Sequence, residues 1–108
     1  MLNQLVKHVI DWAEARNIIK GSTPIKQHDK LLEEVMELRD AIVVNNIRPH
    51  ADTDYEIEDA IGDCTVCLIN IAEMLGMDFE ECLWSAYNEI KDRKGKMVDG
   101  VFVKEKSE

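Results

Sequence analysis

Two rows of carboxylates carry the chemistry this chain could perform. In Glu33-Glu34-Val35-Met36-Glu37, residues Glu34 and Glu37 lie three apart and share one side of a helix, next to Lys30 and Gln27. A second row, Glu56, Asp59 and Asp63, repeats at spacings of three and four, and Asp63 directly precedes the apolar stretch CTVCLINIA. Two helices packed with these rows inward would crowd like charges, which is costly unless cations neutralise them. Hard divalent ions with oxygen ligands answer that need, magnesium first and manganese as its substitute. Such ions can also hold a triphosphate and activate a water.

Each residue has a plainer role to set beside this one. An EExxE run is usually a solvated helix face, and Glu56 is also the third residue of a Thr53-x-x-Glu56 capping box. Asp59 and Asp63 have no such alternative. A di-iron carboxylate site would need a Glu three residues before a His, and His8, His28 and His50 all lack one. Lys91, Arg93, Lys94 and Lys96 place four of the 13 basic residues within six positions, just after Asn88. They can meet phosphates or complement a helix C-terminus. Lys30 can pair with a glutamate or a phosphate, and Trp12 and Trp84 can stack on a base or fill core. Cys64-Thr-Val-Cys67 falls in mid-helix, and Cys82 cannot complete four zinc ligands, so these thiols are expected as small buried side chains.

The elements that must position these groups are nearly all helical. Leu2, Leu5, Val6, Val9, Ile10 and Ala13 mark an amphipathic helix over about 2–17. Thr23-Pro24 is an N-cap with proline at the first helical position, opening a second helix over about 24–45. The Thr53 box predicts the start of a third helix, ending at Gly76. Asp78-Phe-Glu-Glu81 predicts the start of a fourth, with Phe79, Leu83, Ala86, Tyr87 and Ile90 as its buried stripe up to Gly95. Asp99-Gly100, between Met97-Val98 and Val101-Phe102-Val103, predicts a tight hairpin or extended arm. The expectation is one all-α domain over 1–108, a four-helix bundle over about 2–94 with an arm over about 95–108.

Composition excludes several classes. At 108 residues there is room for one domain. Thirteen basic residues against 22 acidic give a formal charge of −9, which opposes binding to a nucleic-acid polymer. No apolar run reaches membrane-spanning length, so no membrane partner is expected, and three cysteines without a scaffold pattern fit reduced thiols in the cytoplasm. A small bundle with so apolar a third helix is expected to self-associate, as a homodimer or a dimer of dimers.

With Glu33-Glu34-x-x-Glu37 and Asp59-Ala-Ile-Gly-Asp63, the sequence resembles the MazG-like nucleoside triphosphate pyrophosphohydrolases, all-α enzymes. The likeness runs from Trp12 and Arg16 through Gln27, Lys30, the glutamates, Gly62-Asp63, Leu75-Gly-Met-Asp78 and Asn88-x-x-Lys91 to Arg93-Lys94-Gly95. It covers about residues 10–96, and the final stretch is similar to small phage-type members. The resemblance implies hydrolysis of the α–β phosphoanhydride to a nucleoside monophosphate and pyrophosphate, in nucleotide house-cleaning or pool control. It implies Glu33, Glu34, Glu37 and Asp63 as catalytic residues, and magnesium held by Glu33, Glu34, Glu37, Asp59 and Asp63. Lys30, Gln27, Asn88, Lys91, Arg93, Lys94, Trp12 and Trp84 are then the expected substrate contacts. One position departs from the pattern: the family's Glu of ExxD falls on Ala60, and Asp59, four residues before Asp63, is the expected substitute. The competing expectation is a non-catalytic oligomeric helical protein, with Ala60 marking a decayed site.

Overall fold

Thr23 lies in extended backbone and its side chain accepts a hydrogen bond from the Lys26 N–H, while Pro24 occupies the first helical position. This cap starts one of the two longest helices, 24 residues each, of a predominantly helical chain. The computed structural model describes residues 2–48 and 51–105. It contains α1 (Leu2–Ala15), α2 (Ile18–Gly21), α3 (Pro24–Ile47), α4 (Ala51–Met74), α5 (Phe79–Ile90) and the strands β1 (Gly95–Val98) and β2 (Val101–Lys104). His50 and the last three residues of the arm lie outside the described residues.

Asn17, in the left-handed region at φ 61°, separates α1 from the single turn of α2. Gly76, at φ 71°, ends α4: the Met77 N–H reaches back to the Ala72 carbonyl at 2.8 Å, a Schellman closure that a side chain at position 76 would strain. Asp78 caps α5 by accepting from the Glu81 N–H at 3.0 Å.

One cap is corrected. Helix α4 begins at Ala51, so Thr53 is inside its first turn and does not open it. Its Oγ1 instead donates to Asn45 Oδ1 at 3.0 Å, tying the end of α3 to the start of α4. At the far end Asn70 Nδ2 donates to Gln27 Oε1 at 3.3 Å. The two helices thus form an antiparallel hairpin pinned by side-chain bonds at both ends. Interpolating between the pins sets Glu34 level with Asp63 and Glu37 level with Ala60.

Helix α4 is the hub: it packs against α1, α2, α3 and α5, whereas among the described residues α3 packs against α4 alone. The core follows, with Val6 and Ala13 of α1, Ala41 of α3, and Ala60, Cys67, Ile69 and Ala72 of α4 buried. Small residues dominate, which lets the backbones approach closely. Helix α5 corrects a second expectation. It ends at Ile90, ahead of the basic residues, and buries none of its side chains; Leu83, Tyr87 and Ile90 stay about half exposed. The hairpin forms as its turn dipeptide requires. Asp99 and Gly100 both take positive φ, 50° and 83°, and Val98 pairs with Val101, Met97 with Phe102. Among the described residues no single helix is long and apolar enough to cross a membrane.

Candidate functional site

The pinned α3/α4 hairpin brings the two acidic rows together midway along its length. Glu34 is buried, at 6% exposure, on a helix whose other acids face solvent. Its Oε1 receives Lys30 Nζ at 3.2 Å, one helical turn earlier, while its Oε2 is buried with no hydrogen-bond partner. A buried carboxylate oxygen left unsatisfied is expensive, and a cation is the partner its chemistry fits. Lys30 also reaches Glu33 at 3.5 Å, but Glu33 points outward and is exposed.

Around Glu34 the neighbouring acids repel. Proton sharing with the adjacent Glu34 carboxylate, reinforced by its charge, raises the proton affinity of Glu37. Burial raises that of Asp63, with the charges of Asp59 and Glu34 adding to it. Lys30 shifts the other way in charge terms, held protonated by its bond to Glu34 and by that carboxylate's charge. Four carboxylates from two helices therefore feel one another, with a single lysine partly offsetting them. Their oxygens do not converge on one point: among the described residues no group of three or more His, Cys, Asp or Glu side chains is set to hold an ion.

The acids divide between two clefts. One, of about 470 Å³, is walled by Trp12, Arg16, Gln27, Lys30, Glu34, Asp63 and Asn70. Here the Arg16 guanidinium lies over the Trp12 ring, 4.7 Å from its centre, and holds it at the mouth. Asn70 is buried and its Oδ1 has no partner. Arg16 and Asn70 complete this wall. Arg16 lies within the stretch of sequence resemblance, but Asn70 sits inside an apolar run that gives no polar signal. The other cleft, of about 360 Å³, is walled by Glu37, Glu56, Asp59 and Ala60. Ala60 is buried at 5% exposure and level with Glu37, so this small side chain occupies a close approach between the two helices. Asp59, beside it, is exposed and engages Asp63.

The remaining expected contacts are elsewhere in the same chain. Trp84 lines a separate groove with Leu2, Glu80, Leu83 and Tyr87. Asn88 is exposed on α5, which does not pack against α3 among the described residues, and Lys91, Arg93 and Lys94 follow that helix. Cys67 is buried, Cys64 half-buried and Cys82 exposed; burial raises the first two thiols above the usual range, which leaves them inert.

No family model matches the chain, and no solved structure matches it. A curated relative, described as an uncharacterized 18.2 kDa protein in the rep-hol intergenic region of Haemophilus phage HP1 (strain HP1c1), is 40% identical over 77 residues. The match covers 71% of this chain and 43% of that protein, so it spans less than half of the relative's length.

Proposed function

We propose that the chain is a magnesium-dependent, or manganese-dependent, nucleoside triphosphate pyrophosphohydrolase of the MazG-like kind, acting in the cytoplasm as a homo-oligomer. One observation carries the reading: Glu34, a buried carboxylate with an unpartnered oxygen, faces a cleft whose other walls are Lys30, Asp63 and an arginine-backed tryptophan. A solvated acidic face would leave that oxygen in water.

Glu34 and Asp63, level across the helical hairpin, would hold the cation, with Glu37 and Asp59 closing in from the neighbouring cleft. When bound, it supplies charge neutralisation for the triphosphate and a water of lowered pKa. The chain does the rest. Lys30 sits against Glu34 and can turn to a phosphate oxygen as charge builds there. Trp12, braced by Arg16, offers an aromatic face for the base, and the Gln27–Asn70 pair offers amide groups to the nucleoside. Attack of water at the α-phosphorus breaks the bond to the β-phosphate oxygen. The monophosphate gains the oxygen, pyrophosphate leaves, and the released proton passes to a carboxylate of the cluster.

The test is pyrophosphate release across a nucleotide panel, paired with thermal unfolding in magnesium and in chelator. Magnesium-dependent release of one pyrophosphate per monophosphate is expected. A cation at 100 times its dissociation constant should add about 2.7 kcal/mol to stability. No release, with equal unfolding midpoints in both conditions, would instead support the non-catalytic helical protein.

A further inference from the structure

Among the described residues the C-terminal hairpin packs on no other element. Strands β1 and β2 pair with each other and with no other described strand, and a lone two-stranded hairpin is marginal in water. Yet it is apolar on both faces. Cross-strand pairing sets Gly95, Met97, Phe102 and Lys104 on one face and Lys96, Val98, Val101 and Val103 on the other. The first is partly covered by itself: the Phe102 ring lies so close to Gly95 that a Cβ there would meet ring carbons at 2.7 Å and 2.9 Å. The second presents three valines to solvent, Val101 at 64% exposure.

Charge allows a second copy to cover it. Residues 1–90 carry 18 acidic against 7 basic side chains, whereas the arm over 95–108 carries 3 of each, so the arm can approach an acidic body without net repulsion. The chain also has surface to cover. It exposes 8653 Å², against about 6,100 Å² for a compact monomer of its mass, and its radius of gyration is 16.7 Å where about 13 Å is usual. The excess is in the range that homodimers bury.

We propose that the arm is exchanged between two copies: the Val98/Val101/Val103 face of one seats in the groove between the start of α1 and α5 of the other. That groove, of about 490 Å³, is lined by Leu2, Leu83, Trp84 and Tyr87 with Glu80 at its edge, so Lys96 on the valine face meets a carboxylate. The exchange is reciprocal and closes as a two-fold dimer. It does not depend on the hydrolase reading.

Sedimentation equilibrium on the full chain tests it. Wild type should be a dimer at tens of micromolar. Val101→Asp should raise the dimer dissociation constant by about 30-fold or more, with helical circular dichroism unchanged because the hairpin packs on no helix among the described residues of its own chain. Lys96→Glu and Glu80→Lys should each weaken the dimer, and the double variant should regain affinity. A monomeric wild type overturns the proposal, as does a dimer unmoved by Val101→Asp. So does a double variant that binds no tighter than either single one.

Discussion

The α3/α4 hairpin and the segment from α5 to β2 break opposite rules of burial. In the first, a carboxylate, Glu34, is 6% exposed, and Asp63 is drawn partly inside beside it. In the second, Trp84 and Phe102 are 57% and 49% exposed, and no side chain of α5 is buried. Soluble chains avoid both arrangements unless something outside the chain compensates. The difference teaches what is missing in each place: positive charge at the helical hairpin, apolar surface at the C-terminal segment. The first hairpin is also pinned at both ends by side-chain hydrogen bonds, while among the described residues the second is held by its own ladder.

The sharpest way to break the comparison is to remove the buried charge. Glu34→Gln keeps shape and helix propensity but deprives Lys30 of the closer of its two ion pairs and any cation of its best ligand. Turnover should fall by at least ~100-fold, and the magnesium-dependent rise in unfolding temperature should vanish. Equal release of pyrophosphate by the variant would move the site away from the pinned hairpin.

A smaller effect should run against intuition. Burial, with Asp59 and Glu34 nearby, raises the proton affinity of Asp63 above its ordinary value of 3.8. The folded chain then binds that proton more tightly than the unfolded one. The resulting stability is fully present below the ordinary value and is lost as pH rises through the folded one. Asp63→Asn should therefore unfold at a higher temperature than wild type in chelator at neutral pH. The gap should close on acidification, and the variant should lose catalysis. Thermal scans in chelator between about pH 3.5 and 8 read this out. A variant less stable than wild type throughout would show that Asp63 is structurally required as an anion.

Much of this was legible in the residues. The Thr23-Pro24 cap, the Gly76 stop, the Asp78 cap and the Asp99-Gly100 turn are local signals, and each forms where its chemistry places it. The nearness of Glu34, Glu37, Asp59 and Asp63 followed from helical spacing on two neighbouring helices. What could not be read was which member of each row is buried. That depends on how α3 and α4 are clocked against each other, and the clocking rests on long-range bonds such as Asn70 to Gln27. The expected buried stripe of α5 failed for a related reason. Periodicity shows that Leu83, Tyr87 and Ile90 share a face, but not whether that face is covered within one chain. Thr53 misled because a threonine three residues before a glutamate matches a capping box equally well inside a helix. The helix had already begun at Ala51.

That misreading supplies the smallest and most local prediction. Were Thr53 the cap of α4, Glu56→Gln would weaken the reciprocal half of the box, and Thr53→Ala would cost an N-cap. Instead Thr53 is buried at 7% exposure and donates to Asn45, while Glu56 is exposed on the wall of the second cleft. Thr53→Ala should cost about 1 kcal/mol, the net worth of a partly buried hydrogen bond whose acceptor loses its donor. Glu56→Gln should change stability by no more than about 0.5 kcal/mol, as exposed substitutions generally do. Thr53→Ala should leave turnover per folded molecule near wild type, because Asn45 lies about 12 Å along α3 from Glu37. Chemical denaturation of the two variants, with pyrophosphate release measured alongside, separates the pin from the site. A loss of activity in Thr53→Ala larger than its loss of folded protein would show that the closed end of the helical hairpin sets the spacing of the acids, and would join the two pinned ends and the carboxylates into one mechanical unit.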